Sequence, residues 1–212
     1  MNSSDFFIGE DTVTASANGA DIAHFSARLL SSGAWEEVVP GMADITVKFD
    51  PDSMSADNAK QKFEEQLAAC EYGVDLEQPP SPILLAASSD GKFAPDAAMV
   101  CSALGIAVDE LPLWLSARRY RVSMMGFQPG FAYLEDVGGD DFPVISRLET
   151  PRQLVAAGSI GMLGGKACIY SLDGPGGWPI IGKVSETLFD PENTKAPALL
   201  SPGQLVQFSC GN

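Results

Sequence analysis

Twelve of the chain's 21 glycines fall between residues 126 and 182, interleaved with short apolar runs such as SIGML, ACIY and WPII. Runs of four or five residues are too short for helices, and glycine in a helix interior costs about 1 kcal/mol relative to alanine. Short strands joined by glycine turns are what such a pattern builds, and a closed or folded-over sheet is the arrangement that leaves them no free edges. A β-barrel-like C-terminal domain is therefore expected. Within it, GFQPGFAYL (126–134) sets Pro129, with its fixed φ, before Gly130, which takes φ > 0 freely, as a type II turn requires. Phe127, Phe131 and Tyr133 stand around that turn. Two readings stay open on these nine residues: a barrel corner with its rings in the core, or the wall of a pocket.

The N-terminal part carries a different texture. Ile22, Phe25, Leu29 and Leu30 mark one apolar helix face that stops at Gly33, and Ile45, Val47 and Phe49 alternate with polar residues as a half-buried strand before Asp50 and Pro51. Ser55 is a natural N-cap for a second helix in which Ala59, Phe63, Leu67 and Cys70 keep helical spacing and Gly73 marks the stop. Adjacent prolines in LEQPPSP (76–82) continue neither a helix nor a central strand. They place the boundary between an α/β domain over 1–79 and a barrel domain over 80–212. SPILLAA reads as the first strand of the second domain, residues 96–104 as a helix closed by Gly105, and Asp109 to Trp114 as a further helical turn. The fold class is α+β.

Composition excludes several functions. A hydrophobic content of 45% supports a true core, and the formal charge of −15 argues against a nucleic-acid partner, which needs a basic surface. No run of 18 apolar residues occurs, and MNSSDFFIGED lacks the basic start and apolar stretch of a secretory signal, so no membrane partner is indicated and a cytoplasmic location is expected. Cys70, Cys101, Cys168 and Cys210 are scattered without a C-x-x-C pair and read as buried free thiols, while the lone His24 supplies neither a metal site nor a catalytic triad. No metal is expected.

The charge is unevenly spread. Residues 1–90 hold 16 acidic and 4 basic side chains, whereas seven of the chain's 13 basic residues lie between Arg118 and Lys183, so a local cationic pocket is expected in the second half. Arg147 and Arg152 flank the ETP of SRLETPRQL, GSIGMLGGK leads to Lys166, and GPGGWPIIGK joins Gly176, Gly177 and Trp178 to Lys183. Arginine forks hold carboxylates or phosphates, and glycine lets backbone N–H groups approach a ligand. GSIGMLGGKA is not a nucleoside-triphosphate loop, because Ala167 stands where the metal-binding hydroxyl belongs. ATP bound by this chain alone is not expected, and Ser123 and Ser159 lack a nearby histidine base in the sequence.

The ordered set GFQPGFAYL, TPR, AAGSIGMLGG, IYSLDGPGGW, IIGK, LFDP and LLSPGQLVQF over residues 126–208 resembles the B subunit of the bacterial ATP-dependent 5-oxoprolinase, a family also called allophanate hydrolase subunit 1 and the sporulation kinase inhibitor family. EEVVPGMADITVKFDP extends the likeness more loosely into the N-terminal half. The resemblance implies an α/β N-terminal domain and a cyclophilin-like C-terminal barrel. It also implies work with a C subunit of related barrel fold and an A subunit in opening 5-oxoproline to glutamate at the expense of ATP. Related domains form the carboxyltransferase part of urea carboxylase, which implies carboxylate or carboxyphosphate-like ligands, and the third family name implies an inhibitor of a sensor histidine kinase. On this reading Phe127, Gly130 and Tyr133 form a pocket wall, Arg147, Arg152 and Lys166 are anion contacts, and Gly176, Gly177 and Trp178 form a second wall. The chain departs from the family's usual pattern at Leu115, where histidine is common, at Lys166 and Ala167, usually glutamine and threonine, and at Lys183 to Ser185, where the family's GRTP becomes GKVS.

Overall fold

Alternate residues are buried along the strands Thr12–Ser16 (β2) and Asp44–Lys48 (β4): Val13 and Ala15 on one, Ile45 and Val47 on the other. That period of two gives one apolar sheet face, which two helices cover. The computed structural model describes residues 6–17, 19–41, 43–69, 81–138 and 142–210, and the chain divides into a unit of residues 1–79 and a unit of residues 80–212.

In the first unit the strands Phe6–Ile8 (β1), β2, β4 and Glu37–Pro40 (β3) form an antiparallel sheet in the order β1-β2-β4-β3. The helices are Gly19–Ser31 (α1) and Ala56–Ala68 (α2). Ile22, Phe25 and Leu29 of α1 are buried as expected, but Leu30 is 64% exposed. The buried stripe is narrower than the sequence suggested, and the residue following Leu29, a further 100° around the helix, falls outside it. Ser55 caps α2 by accepting a hydrogen bond from the Asn58 N–H at 3.3 Å. The expected Cys70 position and the Gly73 stop lie outside the described residues. Trp35 closes this core edge-on to Phe63, its indole N–H donating to the Gln66 side chain at 2.8 Å.

In the second unit seven strands close a barrel. They are Ile83–Ser88 (β5), Arg119–Met125 (β6), Ala132–Asp136 (β7), Ser159–Leu163 (β9), Lys166–Ile169 (β10), Ile180–Val184 (β12) and Leu205–Cys210 (β13), in the circular order β10-β7-β6-β13-β5-β12-β9. All contacts are antiparallel except β13 with β5, where Val206 pairs with Ile83 and Cys210 with Ala87 in parallel. Two short strands, Arg152–Val155 (β8) and Gly174–Gly176 (β11), pair separately. The helices Ala97–Leu104 (α3) and Leu111–Ser116 (α4) lie between β5 and β6 in the chain, and Gly105 ends α3 in the left-handed conformation at φ +71°.

All seven strands feed one large core, and several of them also present out-of-phase residues to a second, smaller cluster. Leu85, Val122, Leu134, Ile160, Ile169, Ile181 and Phe208 join the large core drawn from all seven strands and from α3 and α4. Cys168 and Phe131, one step out of phase on β10 and just before β7, belong instead to a separate cluster with Val155, Tyr170, Trp178 and Ile180. Period-two alternation thus gives the β7–β10 sheet an aromatic layer on the face opposite the barrel core.

The Pro129–Gly130 turn forms as its sequence requires. The Phe131 N–H donates to the Gln128 carbonyl at 3.0 Å, and Gly130 has φ +76°. A Cβ on Gly130 would also stand 2.7 Å from the Phe189 Cβ and 3.0 Å from the Leu188 carbonyl oxygen. Gly33, at φ +62°, has open space around it. Gly130→Ala is therefore expected to lower the unfolding free energy by about 3 kcal/mol and Gly33→Ala by only about 1 kcal/mol, a difference that urea denaturation of the two variants measures.

Candidate functional site

Residues 126–131 carry two consecutive tight turns. Before the type II turn, the Gln128 N–H donates to the Gly126 carbonyl at 2.8 Å, closing a three-residue turn with Phe127 at φ +69°. Among described non-glycine residues this is the positive-φ position. A large side chain held there stores strain, and strain of this kind clusters at ligand-binding and other functional sites. Phe127 is 59% exposed, yet its ring centroid lies 5.1 Å from that of Phe131 and 6.4 Å from that of Tyr170, both edge-on. Phe131 continues to Tyr133 at 4.8 Å and to Tyr170 at 5.1 Å, and Tyr133 to Trp178 at 6.0 Å. The Ser171 hydroxyl donates to the Pro129 carbonyl at 2.6 Å and pins the turn against the segment after β10.

The rings surround groups that keep their protons. Burial pushes the Tyr170 hydroxyl up to about 12, with a smaller rise from Cys168 opposed by a backbone hydrogen bond from Trp178. Burial likewise raises Tyr133 and Cys168. Arg147 lowers all three, which puts its positive charge within electrostatic reach of the cluster. Arg147 is exposed and has no hydrogen-bonded or ion-paired partner among the described residues. A cation beside neutral phenols and aromatic faces is suited to an anion with a planar or apolar body.

Arg147 and Arg152 also line one groove of about 700 Å³, together with Met99 and Ala103 of α3, Val144, Ile145, Leu148 and the polar residues Ser146, Glu149 and Thr150. Unlike Arg147, Arg152 is engaged: its Nη2 donates to the Asp96 Oδ1 at 2.8 Å. The Leu148 N–H donates to the Gly177 carbonyl at 2.8 Å, so the arginine-bearing segment runs beside the second glycine wall.

Of the residues singled out in the sequence, Phe127, Tyr133 and Trp178 meet in the aromatic cluster, with Gly130 at its turn and Gly176 under the Tyr170 hydroxyl, where a Cβ has no room. Arg147 and Arg152 share the groove, and Gly177 touches its segment. Lys166 is apart from that groove, at the start of β10 opposite Glu135. These glycines of GSIGMLGGK have structural reasons: Gly161 packs against Cys168 and Trp178, Gly165 seats the Phe142 ring, and Gly164 takes φ +58° in the β9–β10 turn. Leu115 and Ala167, two of the departures from the family pattern, are fully buried in the large core. Two participants were missed. Tyr170 was visible only as one residue of the run IYSLDGPGGW, and Asp96 only as the first residue of the helix expected over 96–104, to which its side chain makes no cap bond. Among the described residues no cluster of histidine, cysteine and carboxylate side chains has the arrangement of a metal site, and no single helix is long and apolar enough to cross a membrane.

A profile of the carboxyltransferase domain, subdomain C and D, matches residues 8–200. The chain belongs to the carboxyltransferase domain family. It is 37% identical over 175 residues to a protein named as the B subunit of 5-oxoprolinase from Escherichia coli O157:H7, covering 81% of this chain and 76% of that one. It is 31% identical over 183 residues to a protein of the same name from Bacillus subtilis (strain 168), covering 81% of this chain and 74% of that one. Among solved structures, TTHA0988 superposes with a TM-score of 0.77 at 23% identity over 95% of this chain, which spans 40% of the TTHA0988 chain. The Kluyveromyces lactis urea amidolyase superposes with a TM-score of 0.74 at 15% identity over 99% of this chain and 15% of its own. These two share the fold, and the mixed α/β architecture with its closed barrel is that of the carboxyltransferase family.

The raised phenol sets a pH dependence. A tyrosine whose folded value lies near 12 and whose unfolded value lies near 10 contributes stability that is complete below pH 10 and is lost as pH rises from 10 towards 12. The buried Cys168 thiol acts in the same direction from about pH 9 upward. Urea midpoints measured from pH 8 to 12 are expected to fall in the wild type, and Tyr170→Phe, which keeps the ring, is expected to flatten the part above pH 10.

Proposed function

We propose that this chain is the B subunit of a 5-oxoprolinase-type amidohydrolase of the cytoplasm, which opens 5-oxoproline to glutamate at the expense of ATP and works only with a C subunit of related barrel fold and an A subunit. The reading is carried by one observation: Arg147, without an acidic partner among the described residues, stands beside an aromatic layer in a chain whose relatives at 31% and 37% identity bear that name. Opening a lactam breaks the ring C–N bond, adds a water oxygen to the carbonyl carbon and leaves an amine. This chain lacks a nucleoside-triphosphate loop, so ATP enters with the assembled complex and the chain's own part is binding and orientation.

In that role Phe127, Gly130 and Tyr133 form one wall and Gly176, Gly177 and Trp178 the other. Arg147, Arg152 and Lys166 are the anion contacts, with Arg147 and Arg152 on one groove and Lys166 on a separate part of the barrel. The neutral Tyr133 and Tyr170 hydroxyls add no negative charge that would repel a carboxylate substrate. The description of the family as a carboxyltransferase domain favours carboxyl transfer to an amide-type substrate as a second reading, which uses the same anion contacts.

Glutamate formation from 5-oxoproline and ATP by the A and C subunits is expected only when this chain is added. Arg147→Ala is expected to reduce that rate at least tenfold, because an ionic contact of about 1.5–3 kcal/mol is lost, while leaving the melting temperature unchanged. A complex that assembles without forming glutamate, but carboxylates urea or a related amide with biotin present, would replace the first reading by the second.

A further inference from the structure

The four-stranded sheet of the first unit has two edges, β3 and β1, and they differ. At the hairpin joining β3 to β4 the Gly41 N–H donates to the Asp44 carbonyl at 2.8 Å. Bonded pairs alternate along an antiparallel ladder, so Val39 turns its backbone groups to Thr46 and Pro40 turns its own outward. Proline has no N–H, and Glu36 and Glu37 precede it in the chain. An edge that carries proline and charge resists further pairing.

The other edge has neither safeguard. It consists of Phe6, Phe7 and Ile8, and among the described residues β2 is its one strand neighbour. In the β1–β2 hairpin the Gly9 N–H donates to the Thr12 carbonyl at 2.8 Å. By the same alternation Phe7 turns its backbone groups to Thr14, while Phe6 and Ile8 direct their N–H and C=O groups away from the sheet. The strand is anchored by the Phe6 ring, which packs edge-on to Phe63 at 6.0 Å. Phe7 is 67% exposed and Ile8 48% exposed. Phe7 also begins a row that crosses all four strands through Thr14 and Thr46, whose hydroxyls bond at 2.7 Å, to the exposed Val39. An anchored apolar strand with outward backbone donors and acceptors is a template for one more strand.

Charge selects what that strand is. Residues 1–79 contain 15 acidic and 4 basic side chains, a net charge of −11. Asp5 and Glu10 bracket β1 in the sequence, against one cation at the strand, Lys60, whose ammonium lies 5.5 Å from the Phe6 ring centroid. A second copy of the chain would bring two strongly acidic units together, whereas a segment carrying lysine or arginine is drawn in. We propose that the β1 edge binds an extended segment of a protein partner as an added strand, with apolar side chains beside Phe7 and basic residues at its flanks. The Phe6 and Ile8 backbone groups supply the hydrogen bonds, and the acidic unit supplies the preference for positive charge. This surface shares no residue with the arginine groove or the aromatic layer.

The test uses the full chain and two nine-residue peptides of alternating valine and threonine, one flanked by lysines and the other by glutamates. Binding is read by fluorescence anisotropy, and contact by backbone amide hydrogen exchange at saturating peptide. The lysine-flanked peptide is expected to slow exchange at Phe6 and Ile8 at least tenfold. It is expected to bind at least tenfold more tightly than the glutamate-flanked one in dilute salt, a preference that shrinks as salt is raised. Ile8→Pro removes an outward N–H and leaves the Phe7 pairing with Thr14 intact. That variant is expected to melt close to the wild type and to bind the lysine-flanked peptide at least tenfold more weakly; if it does not fold, exchange at Phe6 and Ile8 in the wild type carries the test. Equal binding of the two peptides, unchanged exchange at Phe6 and Ile8, or wild-type affinity in a folded Ile8→Pro overturns the assignment. A dimer of the chain in sedimentation that Ile8→Pro dissolves gives the edge to a second copy and overturns it as well.

Discussion

Closure of the barrel depends on one parallel pairing, between β5 at the start of the second unit and β13 at its end. The two strands are separated by more than a hundred residues, so this contact forms against a large loop-closure entropy and only the cooperative burial of the whole core offsets it. Once it forms, β5 can also pair with β12, and every strand of the seven has two neighbours. A sheet without edges fixes the register of β7, β9 and β10, and register is what decides which side chains face outward.

The aromatic layer follows from that register. Ala132, Leu134, Ala167 and Ile169 fill the barrel core, which leaves Tyr133 and Cys168 paired on the opposite face, where they meet Phe131, Tyr170 and Trp178. Small residues make the layer possible: Gly161 lies against Cys168 and Trp178, and Gly176 under Tyr170. The same crowding excludes water from the phenols and pushes their titration above the ordinary tyrosine range. Arg147, which has no ion-paired partner among the described residues, lowers the titration of Tyr133, Cys168 and Tyr170 in this ring-lined cluster.

Much of this was legible in the sequence where the signal was local. The type II turn at Pro129 and Gly130, the Ser55 cap, the Gly105 stop and the short strands SIGML and ACIY are each governed by conformational preferences of a few consecutive residues. Leu30 was misplaced because a periodic apolar pattern gives the direction of a helix face but not its width. The second role of Gly130, its fit against Phe189, was not legible, since the two residues lie far apart in the chain. The glycines of GSIGMLGGK illustrate a related ambiguity: glycine for a ligand and glycine for a neighbouring ring look alike in sequence.

By itself, the sequence determined the fold class, the turn chemistry and the family, because these rest on local periodicity, on the φ angles open to proline and glycine, and on an ordered set of motifs. Only the tertiary structure decided how the arginines differ. Arg147 and Arg152 are five residues apart and chemically identical, yet among the described residues one has no hydrogen-bonded or ion-paired partner and the other is bound to Asp96, fifty-six positions away. Charge and residue type are properties of the chain, but whether a charge is already satisfied depends on what the fold brings within about 3 Å of it.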